Sequence, residues 1–450
     1  MKLTIKQTKA LDYLEDSETT ELLFGGGAGG GKSALGCYWQ IKKRLKYPGT
    51  RGLIGRSKLK VLKETTLQTF LEIGKMQGLK KDVHFKITSS QDKENPNSIL
   101  FWNGSVIYLR DLFQYPSDKE FDDLGSLEIT DAFIDECNQI VKKAKDIVKS
   151  RIRFRLDEFN LYPKLLMTCN PAKNWTYREF FNPNRKNQLP LYRKFIQSLL
   201  TDNPHISRHY KENLLTLDLN SKQRLLYGNW DYDDDPTALC QFSAIEALIS
   251  NNHVQRTGVK YLTGDVARLG SDKAILKVWD GWVVIDYKVY ELSKLTEIQD
   301  CINAFRIKYS IPSHHCIVDQ DGLGAGVVDN CGILGFVNNA TPLPVDTGDD
   351  YLKPQYNNLQ SQCGYHLAEK INGFEIYFDI PLTGQEQEEI FEELGQLKTW
   401  KIDDDKKVYL LPKKEIKENI GRSPDWRDTL LMRSYFDLIH NEIEIEIYNE

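Results

Sequence analysis

Short apolar runs that end in small or acidic residues recur through the first half of the chain and predict the strands of a sheet. The runs cover residues 21–24, 51–56, 131–134 and 164–169. The segments after the first two runs predict helices, so strand and helix alternate. Two further apolar runs surround Asn103-Gly104, a pair that predicts a hairpin with a type I′ turn. The first half is therefore predicted to be an α/β domain.

The second half has a different order of elements. Strands are predicted at 259–267, 273–279, 282–290 and 315–318. A helix is predicted between the third and fourth strands, from Leu295 to Tyr309, and a last helix opens at 423–428. Acidic residues lie on the first strand, after the fourth strand and on the last helix. This order, with acids at those three places, is the layout of a ribonuclease-H-like nuclease.

Composition describes a globular protein of about two or three domains, because 450 residues are too many for one ordinary core. No apolar run approaches the roughly 18 residues of a membrane span, and residues 1–7 lack the apolar core of a signal peptide. We therefore expect a cytoplasmic protein that is neither transmembrane nor secreted. The eight cysteines include no C-x-x-C pair, so the pattern indicates neither a disulfide framework nor a zinc module.

Domain boundaries are predicted from a change of composition at 228–236. We expect a first domain at 1–230, a linker at 231–257, a second domain at 258–440 and an acidic C-terminal tail at 441–450. Acid and isoleucine alternate over 441–447, which leaves an edge strand and a partner-binding tail both open. The net charge of −5 argues against a strongly basic nucleic-acid binder, although local basic runs occur.

A glycine-rich loop at 26–33 lies between a predicted strand and a predicted helix and matches G-x-x-x-x-G-K-S completely. In that setting, glycines let backbone N–H groups turn toward nucleotide phosphates. Lys32 then reaches the β and γ oxygens, and Ser33 places its hydroxyl on Mg²⁺. A flexible glycine linker, the alternative, leaves the Lys-Ser pair unexplained. The loop therefore predicts an ATP site made of Gly26, Gly29, Gly31, Lys32 and Ser33.

Two acids after the strand 131–134 suit a Walker B element, in which Asp135 holds Mg²⁺ and Glu136 polarises the attacking water. A later strand ends in Thr168, Cys169 and Asn170, which either sense the γ-phosphate or form a turn. Arginines able to stabilise transition-state charge are Arg56, Arg151 and Arg153, each otherwise an ordinary surface cation. These motifs predict an α/β, P-loop ATPase of the additional-strand, catalytic-glutamate type.

The second half offers candidate metal ligands in Asp265, Asp319, Asp425 and Asp428. The last two lie three residues apart and share one helix face. Converging acids bind two Mg²⁺ or Mn²⁺ ions about 4 Å apart, one activating water and the other stabilising the leaving oxygen of a phosphodiester. Taken singly, each acid has a simpler explanation, such as a favourable charge at a helix N-terminus or a turn.

With both halves in view, the chain resembles the large terminase subunit of tailed bacteriophages over roughly residues 1–440. Segments 201–204 and 228–230 look like the end of the packaging ATPase, and segments 264–272 and 318–324 look like the first two nuclease motifs. The resemblance implies a viral motor in the host cytoplasm that translocates double-stranded DNA and cuts concatemers. Its implied partners are a small terminase subunit, a portal on a procapsid and further copies of itself in a ring.

The resemblance also implies residue roles by position. Lys32, Ser33, Asp135 and Glu136 would run ATP hydrolysis, residues 168–170 would couple it to motion, and Gln7 would contact adenine. The metal ligands would be Asp265, Asp319 and Asp428, with Asp425 and Asp321 in support. Two departures matter. Thr429 stands where the family often has alanine, and the choice between Asp425 and Asp428 as the main third ligand stays open.

Two other functions remain open. An ATPase–nuclease of DNA repair or recombination would share both sites, but it would act on free ends or branches. A nucleotide-gated scaffold with an inactive nuclease site would bind ATP without cutting DNA.

Overall fold

The computed structural model describes residues 2–115, 117–118, 120–231, 235–266, 273–322, 324–344, 355–402 and 407–448. The chain divides into two compact units, residues 1–235 and 236–450. Part of the first nuclease-like motif, residues 267–272, lies outside the described residues, as does Leu323 in the second motif.

The first unit is built on one eight-stranded sheet. Its strands are β1 Glu21–Gly26, β2 Arg51–Arg56, β3 Phe85–Ile87, β4 Ser98–Phe101, β5 Val106–Asp111, β6 Asp131–Ile134, β7 Lys164–Cys169 and β8 Arg193–Ser198. The sheet order is β3-β4-β5-β2-β6-β7-β1-β8, and all pairs from β5 to β8 are parallel. Strand β7 lies between β1 and β6, which is the additional strand that the predicted fold class requires.

Helices cover this sheet and join its strands. They are α1 Ile5–Glu15, α2 Lys32–Lys46, α3 Leu59–Glu64, α4 Thr66–Met76, α5 Asp122–Gly125, α6 Lys142–Ser150, α7 Asn182–Arg185, α8 Arg208–Leu215 and α9 Leu219–Ser221. Two π-helical turns occur at Tyr177–Phe181 and Lys222–Leu226. Helix α2 packs so closely on β6 that a Cβ atom on Gly36 would lie 2.2 Å from the Phe133 ring.

The hairpin between β4 and β5 forms as predicted, but its turn is of another type. Gly104 has φ 80°, whereas Asn103 does not adopt the left-handed conformation that a type I′ turn needs at both central residues. The Asn103 side chain instead donates to the Arg44 carbonyl at 2.8 Å, at the end of α2. The predicted type I′ turn is therefore wrong, because a contact distant in sequence holds Asn103.

The second unit contains a six-stranded sheet of order β13-β12-β9-β10-β11-β14. Its strands are β9 Lys260–Asp265, β10 Ala274–Asp280, β11 Val283–Tyr290, β12 Cys316–Asp319, β13 Leu334–Phe336 and β14 Tyr377–Phe378, and a separate ribbon pairs β15 Thr399–Ile402 with β16 Val408–Leu410. Strand β10 is antiparallel to β9 and β11, while β12 is parallel to β9. This is the predicted ribonuclease-H-like order.

The helices of the second unit are α10 Phe242–Ala247, α11 Leu295–Tyr309, α12 Gly324–Cys331, α13 Leu359–Asn372, α14 Gly384–Leu394, α15 Lys413–Ile420 and α16 Asp425–Tyr448. Among the residues that the structure describes, none of the chain's helices is both long and apolar enough to span a membrane.

One sequence prediction fails in this unit, and one question that the sequence left open is answered. The segment 231–257, predicted to be a linker, includes α10, whose Ala244 and Ile245 are buried in the hydrophobic core. The alternation of acid and isoleucine after residue 440 left an edge strand open, but α16 continues to Tyr448. Glutamate favours helix strongly, so a short alternating pattern at the end of a long helix does not specify a strand.

Candidate active sites

The glycine-rich loop between β1 and α2 depends on backbone conformations that favour glycine. Gly29 and Gly31 have φ values of 76° and 74°. A Cβ atom on Gly26 would lie 2.0 Å from the Ser198 carbonyl oxygen. Side chains from three distant segments fix the loop's carbonyl groups: Asn203 donates to Gly29 O at 2.7 Å, Ser198 to Gly30 O at 2.7 Å and Gln7 to Gly31 O at 2.9 Å.

Gln7, predicted to contact adenine, has both ends of its amide engaged. Its Oε1 accepts from Thr4 N at 3.0 Å, which caps α1, and its Nε2 binds Gly31. Gln7 therefore ties α1 to the phosphate loop.

Lys32, the first residue of α2, points back over the loop. Its ammonium donates to the carbonyls of Gly26 and Gly27 at 3.2 and 2.5 Å and to Asn170 Oδ1 at 3.0 Å. Burial lowers the pKa of Lys32, and the charges of Glu136 and Asp135 partly offset this effect. The ammonium thus joins the loop to the strand end that carries Asn170.

Asp135 is the centre of a hydroxyl cluster at the carboxyl edge of the sheet. Its Oδ1 accepts from Ser33 Oγ at 3.0 Å and from Thr168 Oγ1 at 2.7 Å, and its Oδ2 accepts from Thr66 Oγ1 at 2.7 Å. Arg56 Nη1 lies 3.6 Å from Oδ2. Because a hydroxyl and a carboxylate are typical Mg²⁺ ligands beside a nucleotide, the Ser33–Asp135 pair fits that ion. Sequence reasoning missed Thr66, since a threonine at the start of α4 carries no motif.

Glu136 follows in a left-handed conformation with φ 51°, an uncommon state for a residue with a side chain. Its Oε2 lies 3.5 Å from Asn170 Nδ2. Burial and the charge of Asp135 raise the pKa of Glu136, while Lys32, Arg56 and Arg224 act against the rise. A carboxylate with a raised pKa is better suited to accept a proton from water than an ordinary glutamate.

Residues 168–170, which are predicted to couple hydrolysis to motion, do not all contact the same groups. Thr168 and Asn170 reach the acids of the site, whereas Cys169 is fully buried beside Cys137. Burial and contact with Cys169 raise the pKa of the Cys137 thiol.

The predicted arginines separate into two groups. Arg56 lies in the site, where it also donates to Thr65 Oγ1 at 2.7 Å. Arg151 donates to the Gly125 carbonyl at 2.7 Å, and Arg153 Nη2 lies 3.5 Å from Glu128. Both arginines lie next to a β-bridge between Ile129 and Ile152. Ile129 precedes β6, whereas Asp135 follows it, so the bridge and Asp135 lie at opposite ends of that strand. Within one chain, Arg151 and Arg153 are therefore too far away to act at this site.

A further arginine, Arg224, was missed because it lies in no recognisable motif. It belongs to the π-helical turn Lys222–Leu226, whose Leu225 carbonyl accepts from the loop residue Ala28 at 2.7 Å. Its Nε is buried and donates to no residue in the described ranges. Its charge also acts against the rise in the pKa of Glu136 that burial causes. This segment thus packs on the phosphate loop and places a cation near the catalytic candidate.

The second unit brings its four predicted acids together. Asp265 ends β9 and Asp319 ends the neighbouring parallel strand β12. Helix α16 packs on β9 and contributes Asp425 and Asp428. Burial raises the pKa of Asp265 well above its usual value, and the charges of the other three acids add to the rise.

Lys413 occupies the middle of these acids. Its ammonium lies 3.0 Å from Asp428 Oδ2 and 3.8 Å from Asp265 Oδ2. The three carboxylates that surround it raise the pKa of Lys413 against the effect of its burial. In this arrangement, no three acidic, histidine or cysteine side chains of the described ranges are grouped as metal ligands. The lysine therefore supplies the positive charge that the carboxylates require here.

The two acids of α16 differ in their free oxygens. Both oxygens of Asp428 are engaged, Oδ1 by Arg427 Nε at 2.9 Å and Oδ2 by Lys413. Asp425 Oδ2 accepts from Lys273 N at 2.8 Å, but its buried Oδ1 has no hydrogen-bond partner in the part of the chain that the structure describes. An unpartnered carboxylate oxygen beside other acids fits a divalent cation. The two acids of α16 thus differ in the hydrogen bonds that their oxygens accept, and the choice of the main metal ligand stays a prediction.

Asp321 joins the cluster through Asn338. The Asn338 amide donates to Asp321 Oδ2 at 2.9 Å and lies 3.3 Å from Asp319 Oδ2. Asp321 N also donates to Asp319 Oδ1 at 2.9 Å. These contacts orient Asp319, and the supporting role of Asp321 stays a prediction.

Sequence comparisons match part of the chain to known proteins. A family model described as phage terminase large subunit matches residues 18–227. The PBSX phage terminase large subunit of Bacillus subtilis (strain 168) is 27% identical over 183 residues, which are 40% of this chain and 38% of that protein. The match therefore spans well under half of the relative's length.

Two solved structures are similar at low identity. The large terminase of a thermophilic bacteriophage is 14% identical over 94% of this chain and 98% of that chain, with a TM-score of 0.41. The nuclease domain of the large terminase subunit of bacterial virus Sf6 is 21% identical over 44% of this chain and 98% of that chain, with a TM-score of 0.39. The family model and the PBSX phage relative confirm the predicted resemblance to large terminase subunits.

Proposed function

We propose, from the match of residues 18–227 to a family model described as phage terminase large subunit, that the chain is an ATP-driven motor that packages double-stranded DNA and cuts it at a second, metal-dependent site. The observation that carries the proposal is the hydroxyl cluster on Asp135, which joins Ser33 of the phosphate loop to the acidic strand end within 3.0 Å. Glu136 follows directly, so the residue types for ATP hydrolysis meet at one sheet edge.

In the proposed hydrolysis step, Lys32 leaves the loop carbonyls and binds the β and γ oxygens of ATP. Ser33 and Asp135 would hold Mg²⁺, which neutralises phosphate charge when bound. Glu136 accepts a proton from the attacking water. Asn170, which contacts both Lys32 and Glu136, detects loss of the γ-phosphate, because its two partners then rearrange. Strand β7 carries that change toward the segments that follow it.

In the proposed cleavage step, Asp265, Asp319, Asp425 and Asp428 would hold two Mg²⁺ or Mn²⁺ ions, which activate water and stabilise the leaving oxygen. The ions would then supply the positive charge that Lys413 gives to Asp428 and Asp265 in this structure. The proposed partners are double-stranded DNA held by its phosphates, a small terminase subunit, a portal on a procapsid and further copies of the chain in a ring. The proposed location is the host cytoplasm.

The first experiment compares plasmid cleavage in Mn²⁺ or Mg²⁺ with ATP turnover. We expect Asp265→Asn to lose cleavage and keep ATP hydrolysis, and Lys32→Met to lose hydrolysis by at least about a hundredfold. Exposed residues provide the matched controls Asp329→Asn and Lys60→Met, which should behave like the wild-type protein.

Three results would contradict the proposal. A wild-type protein that turns over ATP but never cuts DNA would favour the nucleotide-gated scaffold. Cleavage by Asp265→Asn equal to wild type would remove the carboxylate site from the reaction. Cleavage restricted to free ends or branches would favour a repair enzyme.

A further inference from the structure

Lys277 is a fully buried lysine on β10 that no sequence motif explains. Its Nζ donates to the Trp426 carbonyl at 2.9 Å and to the Thr429 hydroxyl. Both acceptors belong to the first turns of α16, which also carry Asp425 and Asp428. The burial of an ammonium group is costly, so an apolar side chain at this position would be expected if only packing mattered.

Thr429 is also fully buried, and its hydroxyl is suited to this lysine. The hydroxyl oxygen lies 3.1 Å from the Asp425 carbonyl and 2.9 Å from the Trp426 carbonyl, so its proton is donated to the helix backbone. Its lone pairs then accept from Lys277. An alanine here would offer no acceptor, so the Thr429 hydroxyl is a side-chain partner of Lys277.

The opposite side of the same helical turn is held by Glu393 of α14. Its Oε2 accepts from the backbone N–H groups of Trp426 and Arg427 at 2.8 and 3.0 Å. This carboxylate satisfies donors at the N-terminus of α16 that would otherwise lack partners. The turn with both acids is thus fixed between the Lys277 amino group, which donates to one of its carbonyl groups, and a Glu393 carboxyl oxygen, which accepts from two of its N–H groups.

We propose that Lys277 and Thr429 form a positioning pair, which sets the orientation of the α16 turn so that Asp425 and Asp428 face Asp265. The pair acts through the helix and does not touch the substrate. This inference rests on the proposed nuclease function. Because the pair orients ligands, its loss raises the metal concentration that cleavage needs more than it lowers the maximal rate.

Two substitutions at Thr429 separate the hydroxyl from side-chain shape. Thr429→Val keeps the shape and removes the acceptor, and Thr429→Ser keeps the acceptor. In the full-length protein, we expect Thr429→Val and Lys277→Met each to raise the Mn²⁺ concentration for half-maximal plasmid cleavage about fivefold, the effect of one hydrogen bond. We expect Thr429→Ser to stay within about twofold of wild type. Lys288→Met, on the exposed part of β11, is the matched control.

The double variant Lys277→Met/Thr429→Val tests the coupling. If the residues act as a pair, the double variant shifts the Mn²⁺ requirement no further than the worse single variant. The proposal would be overturned if the increase in the Mn²⁺ requirement of the double variant were the product of the two single increases. An unchanged Mn²⁺ requirement in the single variants would also overturn it. A general loss of structure would lower the melting temperature and ATP turnover of all variants together, so both are measured on the same samples.

Direct Mn²⁺ titration by electron paramagnetic resonance, without nucleotide and with Asp265→Asn as the reference, separates this inference from the proposed function. A wild type that binds Mn²⁺ but does not cut contradicts the nuclease function, while the same shifts in affinity still support the pair. A wild type whose Mn²⁺ binding equals that of Asp265→Asn contradicts both.

Discussion

At the scale of single residues, each candidate site depends on polar groups that no motif names. Thr66 and Arg224 complete the surroundings of Asp135 and Glu136, and Lys413 balances the charge of the carboxylates. The motif residues Lys32, Ser33, Asp135 and Glu136 lie where the sequence pattern predicts. Their partners come from segments distant in sequence, so single-sequence patterns do not reveal them.

One prediction at the scale of single residues concerns the role of Arg224 in ATP hydrolysis. Its charge lies close enough to Glu136 to act against the rise in the pKa of that acid, and its Nε has no hydrogen-bond partner among the described residues. We therefore expect Arg224 to stabilise charge on the γ-phosphate during hydrolysis. Arg224→Ala should lower kcat for ATP by about a hundredfold and change nucleotide affinity by less than about threefold. Steady-state turnover and equilibrium binding of a fluorescent nucleotide measure the two quantities.

The neighbouring Lys222→Ala is the control for Arg224→Ala, because it removes a cation from the same turn. Equal losses in both variants would assign the effect to the turn's structure rather than to Arg224.

At the scale of elements, periodicity locates strands and helices better than it locates their contacts. The strand order that places β7 between β1 and β6 follows from the motifs, since the phosphate loop and the two acids identify their strands. The sequence pattern does not predict the type of the turn between β4 and β5, the helix α10 or the full extent of α16. Asn103 is held by a carbonyl of α2, and α10 is held by core contacts of the second unit. Local sequence contains neither contact.

The packing of α2 on β6 predicts a strong effect of one methyl group. Gly36→Ala would place a Cβ atom 2.2 Å from the Phe133 ring, so helix and strand must separate. We expect it to lower the free energy of unfolding of the first unit by about 1–3 kcal/mol. Gly74→Ala on α4 is the matched control, because its Cβ would meet no atom closer than 3.9 Å and alanine favours helix. Urea denaturation, followed by the fluorescence of a nucleotide analogue bound at the ATP site, measures the stability of both variants. Equal stability of Gly36→Ala and Gly74→Ala would contradict this prediction.

The contact between α14 and α16 predicts a dependence on pH. Burial raises the pKa of Glu393 to about 8, from 4.5. A raised folded-state pKa stabilises the protein below about pH 4.5, and that contribution is lost as the pH rises through about 8. Glu393→Gln keeps an acceptor oxygen and cannot ionise. Its melting temperature should therefore rise relative to wild type between pH 6 and pH 9.

Glu418→Gln, at an exposed position of the following helix α15, controls for the removal of an acid from this unit. A constant difference between Glu393→Gln and wild type from pH 6 to pH 9 would show that Glu393 titrates near its ordinary value.

At the scale of the whole molecule, the two-unit plan and both sheet classes were predictable, because each unit carries its own ordered set of motif residues. The sequence could not show which acid of α16 has a free oxygen. That difference depends on Arg427, Lys413 and Lys273, which reach the acids only in the folded chain. The location of Arg151 and Arg153 at the far edge of the sheet was hidden for the same reason.

Three consecutive carbonyl groups of the phosphate loop, those of residues 29–31, accept hydrogen bonds from the side chains of Asn203, Ser198 and Gln7. These hydrogen bonds have a thermodynamic consequence. In a trans peptide, the carbonyl and the following N–H point in opposite directions, so fixing the carbonyls outward aims the N–H groups of residues 30–32 inward. Glycine loses more conformational entropy on ordering than any other residue. Here that entropy is lost when the protein folds. A nucleotide that arrives later meets donors already in place, and its affinity is not reduced by the cost of ordering the loop.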